Sequence, residues 1–259
     1  MNEFHTICLD CDDRGVAQLT LSRPEKHNAL NAQMITELRS ATAKLGNDDR
    51  VRAVILAAQG ASFCAGGDLG WMADQVRYDR GKKIAESMEL AKMLRDLDTL
   101  SKPLIGRVQG NAYGGGIGLM AVCDIVVAVE TAEFALTETR LGLIPATIGP
   151  YVVRRLGEGK ARRVFMNGKV FDASAGCALG LISEVAIGEK LNEIVEAEVA
   201  WFLRSAPGAV ADAKSLCLDL SRNIHGDIQS WTANKLADRW ETEEAQEGIR
   251  NFLARKKAS

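Results

Sequence analysis

The chain has 259 residues, with 32 Lys and Arg against 34 Asp and Glu and a formal net charge of −2. Hydrophobic residues make up 47% and charged residues 25%, which excludes disorder as the main state. The basic excess of a nucleic-acid binder is missing, and no apolar run reaches the roughly 18 residues of a membrane span.

The N-terminus, Met1 to His5, has neither the basic nor the apolar segment of a secretory leader. Thr6 to Cys11 reads as a strand that carries the lone C-x-x-C of Cys8 and Cys11. A redox pair of that kind opens a helix after a strand, and a zinc site needs a second pair. The six cysteines, Cys8, Cys11, Cys64, Cys123, Cys177 and Cys217, are therefore read as reduced structural thiols of a cytoplasmic protein.

Val16 to Leu21 and Val51 to Ala58 are apolar, β-branched runs expected as buried strands. Between them Met34, Leu38, Ala41 and Leu45 recur at helical spacing behind Asn31, a candidate N-cap. Residues 79 to 99 predict a charged helix with Ile84, Met88, Ala91 and Leu94 to Leu97 as its apolar stripe. Pro103 to Val108 predicts a strand, Gly115 opens a helix, and Cys123 to Ala128 predicts another strand. Strands alternating with helix-length crossovers imply an α/β core with mainly parallel strands. From about residue 149 the pattern becomes almost wholly helical. Residues 188 to 204 and 207 to 222 are amphipathic, and 227 to 254 is polar with Trp231, Leu236, Trp240, Ile249, Phe252 and Leu253 as anchors.

Several familiar sites are absent. Gly110 to Gly115 has phosphate-loop spacing, but Gly116 stands in place of the lysine. Leu119 breaks the dinucleotide fingerprint, and there is no G-x-S-x-G and no H-E-x-x-H. The three histidines, His5, His27 and His225, have no partner at ligand spacing, so no metal site is expected.

Two glycine-rich turns remain, Ser62 to Leu69 and Gly110 to Gly118, each placed just after a predicted parallel strand. Either both take glycine only for positive φ, or their backbone N–H groups converge on one carbonyl oxygen as an oxyanion hole.

These residues resemble the crotonase, or enoyl-CoA hydratase/isomerase, superfamily. The resemblance is carried by Ser22-Arg23-Pro24-Glu25-Lys26-His27-Asn28-Ala29-Leu30-Asn31, by Phe63 to Leu69, and by Gly110-Asn111-Ala112-Tyr113-Gly114-Gly115-Gly116. Cys123-Asp124, Glu138 to Pro145 and Gly168 to Gly180 continue it along the whole chain. It implies a spiral of ββα units over residues 1–200 and a helical oligomerisation region over 201–259, in a homotrimer or dimer of trimers. It also implies an acyl-CoA thioester substrate whose enolate is held by the N–H groups of Gly67 and Gly115. Coenzyme A, part of the substrate and the only cofactor-like group, would run along Lys26, Ala29 and Ala65, with Gly67, Asp68 and Leu69 beside it.

Hydratases of this superfamily typically carry two glutamates. The second is matched by Glu138, while Gly118 stands where the first would be. Thr137 to Val153 and Gly67 to Met72 resemble bacterial methylglutaconyl-CoA hydratases, whose substrates are 3-methyl branched with a distal carboxylate. Arg77, Arg80, Lys82 and Arg140 are the candidate partners for such a group. The resemblance thus implies hydration of a branched 2-enoyl-CoA. The alternatives are a Δ3,Δ2-enoyl-CoA isomerase using Glu138 alone and a non-catalytic acyl-CoA-binding scaffold.

Overall fold

The structure is a computed structural model that describes residues 4–221 together with 231, 234, 236, 238, 241–245 and 247. Ten strands and nine helices are seen among the described residues. The first part of the chain runs β1 (Ile7–Cys11), β2 (Val16–Leu21), α1 (Ala32–Asn47), β3 (Ala53–Ala58), β4 (Ser62–Cys64), α2 (Leu69–Arg77) and α3 (Arg80–Asp98). It continues with β5 (Leu104–Val108), β6 (Asn111–Tyr113), α4 (Gly115–Ala121), β7 (Ile125–Val129), β8 (Glu133–Ala135), α5 (Gly149–Leu156) and α6 (Glu158–Phe165). Then come β9 (Phe171–Asp172), α7 (Ala173–Leu179), β10 (Glu184–Ala186), α8 (Leu191–Leu203) and α9 (Pro207–Ser221).

The strands form two sheets. The larger has the order β1-β2-β3-β5-β7-β10, and only its β1–β2 pair is antiparallel. The smaller has the order β4-β6-β8-β9, with β4, β6 and β8 parallel. The chain alternates between them: β3 leads to β4, β5 to β6 and β7 to β8. Each long strand thus hands the chain to a short strand of the second sheet before the next helix, which is the ββα repeat.

Periodicity explains the larger elements. Asn31 caps α1, its side chain accepting from Met34 N at 2.9 Å, and Met34, Leu38, Ala41 and Leu45 are all buried. β3 is buried at every position, which suits a strand covered on both faces. The inner face of the large sheet joins α1, the second half of α3 and α4 in one apolar cluster. On the outer face Val16, Ile55, Ala57, Ile105 and Val127 pack against Leu191, Val195 and Val199 of α8.

Two expectations need correction. The region after 149 is not wholly helical, because Phe171–Asp172 and Glu184–Ala186 pair with β8 and β7. The predicted stripe of α3 is apolar core only from Met93 onward, while Ile84 and Met88 are 51% and 49% exposed. All six cysteines are free thiols, and burial pushes Cys64 and Cys123 up to about 12. No helix among the described residues is long and apolar enough to cross a membrane. Trp240, Ile249, Phe252 and Leu253 lie outside the described residues.

Candidate active site

The three parallel strands of the small sheet end at one place. β4 delivers the turn with Gly66 and Gly67, β6 delivers Gly114 and Gly115, and β8 leads to Glu138. Carboxyl ends of parallel strands are where ligands bind in such sheets. The glycine turns therefore follow the short strands β4 and β6, not the long β3 and β5 that precede them in the sequence reading.

Gly67 forms a parallel bridge with Leu30. Its bonds are Leu30 N to Gly66 O at 2.7 Å and Asp68 N to Leu30 O at 2.9 Å. In that geometry the N–H of Gly67 itself faces away from Leu30. Gly66 has φ 93, a conformation open to glycine, and a Cβ there would lie 3.8 Å from Gly115 N. A Cβ on Gly115 would in turn lie 3.9 Å from Gly66 Cα, so the two turns lie against each other. Gly115 is the first residue of α4, where no intrahelical acceptor exists for its N–H. Among the described residues neither the Gly67 N–H nor the Gly115 N–H has a protein acceptor.

Glu138 opens a short 3₁₀ turn, Glu138–Leu141. A Cβ on Gly114 would meet Glu138 Oε1 at 3.0 Å, which places the carboxyl beside the start of α4. Gly114 N donates to Ala135 O at 3.0 Å and ties that start to β8. Burial raises the Glu138 carboxyl above its ordinary value. Its Oε2 is buried without a hydrogen-bond partner, and so is Oγ1 of the next residue, Thr139.

The remaining candidates sort by what they touch. Asp68 is taken up internally: its Oδ1 caps α2 through Gly70 N and Trp71 N, and Oδ2 pairs with Arg23 at 2.9 Å. Burial alone would raise the Asp68 carboxyl, but Arg23 and the two capping N–H groups hold it below the usual range. Ala65 is exposed and gives its N–H to His27 O. Lys26 and Leu69 are exposed, while Ala29 is buried and donates to Lys26 O. Arg77 lies 3.9 Å from Asp74, and Lys82 pairs with Glu86 at 2.8 Å. Arg140 lies against Gly168, and Arg80 lines a cavity with Lys83, Ile84, Met88, Ala146 and Thr147.

The structure gives further motif residues contacts that the sequence does not reveal. Met72 and Trp71 of α2 roof Gly67: a Cβ on Gly67 would lie 3.3 Å from Met72 Sδ and 3.7 Å from Trp71 Cε3. Trp71 Nε1 donates to Glu86 Oε2 at 3.1 Å, locking α2 to α3. Asn28, fully buried, holds the first loop by donating to Gln59 O and Ser62 O and accepting from Arg23 N. Ile148 fills the space next to Gly118, with its Cγ2 2.4 Å from where a Cβ would sit.

A site with two free N–H donors and one buried carboxyl can hold an oxyanion and move a proton beside it. The family described as enoyl-CoA hydratase/isomerase matches residues 12–259. The enoyl-CoA hydratase ACTT6 of Alternaria alternata is 33% identical over 82% of this chain and 70% of its own. The crystal structure of an enoyl-CoA hydratase from Shewanella pealeana superposes with a TM-score of 0.94 at 34% identity, covering 98% of this chain and 95% of that one. An enoyl-CoA hydratase from Mycobacterium smegmatis gives 0.89 at 33% identity, covering 97% of each chain.

Proposed function

The chain belongs to the enoyl-CoA hydratase/isomerase family, and from that premise we propose that it adds water across the 2,3 double bond of a 3-methyl-branched, methylglutaconyl-CoA-like enoyl thioester. Coenzyme A lies along Lys26, Ala29 and the Ala65 to Leu69 turn, and the reaction takes no other cofactor. The thioester carbonyl oxygen accepts from Gly67 and Gly115. Ionised Glu138 removes a proton from water as the water oxygen bonds to Cβ. The electron pair of the double bond moves onto the carbonyl oxygen as an enolate, where fixed donors count most. Glu138 then returns the same proton to Cα, so a single carboxylate closes the cycle.

One observation carries this reading: the Glu138 carboxyl, with Oε2 unpartnered, lies against Gly114, and the next residue Gly115 and the abutting Gly66–Gly67 turn carry N–H groups that have no acceptor among the described residues. The branched, carboxylate-bearing acyl group is supported by the match of Gly67 to Met72 and Thr137 to Val153 to that subgroup, and by Arg80 and Lys83 along the α3 cavity.

The same geometry favours a second reading. No second carboxyl stands at position 118, and one carboxylate can carry a proton from Cα to Cγ of a 3-enoyl-CoA, which is isomerisation. Absorbance of the conjugated enoyl thioester separates the two. Hydration removes it and yields a product heavier by one water, isomerisation creates it, and a non-catalytic binder leaves it unchanged. The last outcome would overturn both enzymatic readings.

The assembly expected is a homotrimer or a dimer of trimers. Leu69, Val76, Leu141 and Ile144 are 83%, 80%, 61% and 74% exposed, apolar side chains that a partner subunit would cover. A monomeric mass by light scattering at micromolar concentration would refute it.

A further inference from the structure

Five buried side-chain nitrogen or oxygen atoms among the described residues lack a hydrogen-bond partner: Arg52 Nε, Gln75 Nε2, Gln109 Oε1, Glu138 Oε2 and Thr139 Oγ1. Arg52 and Gln109 use their other polar atoms on backbone carbonyls. Glu138 and Thr139 belong to the proton-transfer turn. Gln75 remains. It makes no side-chain hydrogen bond among the described residues, and its amide nitrogen is withdrawn from water. A buried donor without an acceptor keeps the whole cost of its lost hydration, and such groups persist where a ligand supplies the acceptor.

Its position says which ligand. In α2 only Trp71, Met72 and Gln75 turn inward, while Ala73, Asp74, Val76 and Arg77 are exposed. Residues 71, 72 and 75 share one helix face. The first two roof Gly67, so Gln75 follows one turn further along the same wall, away from the oxyanion donors. A thioester seated on Gly67 and Gly115 would send its acyl chain past the Glu138 carboxyl, where water attacks Cβ, and on along this wall.

We propose that Gln75 Nε2 donates to an oxygen on the acyl chain beyond Cβ, so that the enzyme selects enoyl thioesters with a distal carboxylate over purely hydrocarbon ones. The proposal rests on the hydratase reading above. Arg80 and Lys83, without an ion pair among the described residues, stand in the first turn of α3, the helix that follows α2 in the chain, and line a cavity with Ala146 and Thr147.

The test compares 3-methylglutaconyl-CoA with 3-methylcrotonyl-CoA, which differs only in having hydrogen in place of the carboxylate. The wild-type enzyme should show the higher kcat/KM on the carboxylate substrate. Gln75→Leu should lower the ratio of the two kcat/KM values roughly 10- to 100-fold, through the substrate that loses its donor. Gln75→Glu should lower it further by repelling the carboxylate. If Gln75→Leu does not fold, Gln75→Met gives the same reading. A wild-type preference for 3-methylcrotonyl-CoA, or an unchanged ratio in the variants, overturns the assignment of Gln75. Failure of the wild type to hydrate either substrate or crotonyl-CoA would instead overturn the hydratase reading.

Discussion

Gly118 and Ile148 occupy one space. A Cβ on Gly118 would sit 2.4 Å from Ile148 Cγ2 and 3.0 Å from Ile148 Cβ, and Ile148 is 3% exposed. A β-branched side chain buried that deeply has no rotamer to retreat to. The departure at position 118 is thus not a vacant place but one filled by the turn after Pro145. Gly118→Ala should destabilise the protein by about 1–3 kcal/mol through overpacking. Ile148→Ala should lose stability on its own by leaving a cavity. The double variant should recover part of the summed loss, since the small residue at 148 makes room for the methyl at 118. Urea denaturation of the four proteins measures the coupling, and strictly additive losses would show that the two side chains do not meet. Gly118→Glu alone should give no two-carboxylate hydratase, because Ile148 blocks the carboxylate.

Asn28 governs the loop in front of the site. It sits at φ 54, a conformation that asparagine tolerates better than most residues, directly after His27 at φ 50. Its amide makes three bonds of 2.8–2.9 Å that join Arg23, Gln59 and Ser62. Asn28→Ala would remove three bonds, leaving Arg23 N and Gln59 O without this partner while Ser62 O keeps Gln109 Nε2 at 3.1 Å, and should cost about 3 kcal/mol, near 1 kcal/mol for each bond. Thermal or urea melts check this, and an effect within about 0.5 kcal/mol of wild type, the range of ordinary surface changes, would refute it.

The larger part of the fold was legible because its elements are long enough to show a period. The helix starting behind Asn31, the strand ending at Ala58 and the helix ending near Asp98 are all found within a residue or two of their expected limits. The small sheet was not legible. Ser62–Cys64, Asn111–Tyr113 and Glu133–Ala135 are three residues each, too short for alternation to register. Yet these strands aim the site, and the placement of Gly67, Gly115 and Glu138 in the sequence reading came from family motifs. The contacts of Met72, Gln75 and Ile148 were not legible, because nothing in a lone side chain reports which glycine or which turn it will face.

The ion pair of Arg23 and Asp68 makes a prediction about acid. The depressed Asp68 carboxyl contributes stability above its unfolded value of about 3.9, and that stability is lost as pH falls through the lower folded value. Asp68→Asn keeps an oxygen for the cap and removes the charge that pairs with Arg23. Its deficit against wild type should be largest near neutral pH and should shrink as the wild-type carboxyl protonates below about pH 4. A deficit that stays constant down to the acid transition would show that the pair contributes nothing.

Glu138 shifts the other way, and the sign reaches catalysis. Burial raises its carboxyl, with no cation among its causes. Hydration needs the ionised form, so kcat/KM should fall on the acid side along a limb above the ordinary glutamate value of about 4.3. With no second carboxyl at position 118, no alkaline limb from a paired carboxylic acid should appear. Glu138→Gln keeps the shape and removes the base, and it should lose roughly 10²–10⁴-fold in kcat or more. Stability should respond in the opposite sense. A raised folded value favours the neutral carboxyl, so this contribution is fully present below the unfolded value and is lost as pH rises through the folded one. The melting temperature of wild type should therefore decline relative to Glu138→Gln across that interval. Parallel melting curves at every pH, or a Glu138→Gln enzyme with undiminished kcat, would remove Glu138 from the centre of the mechanism.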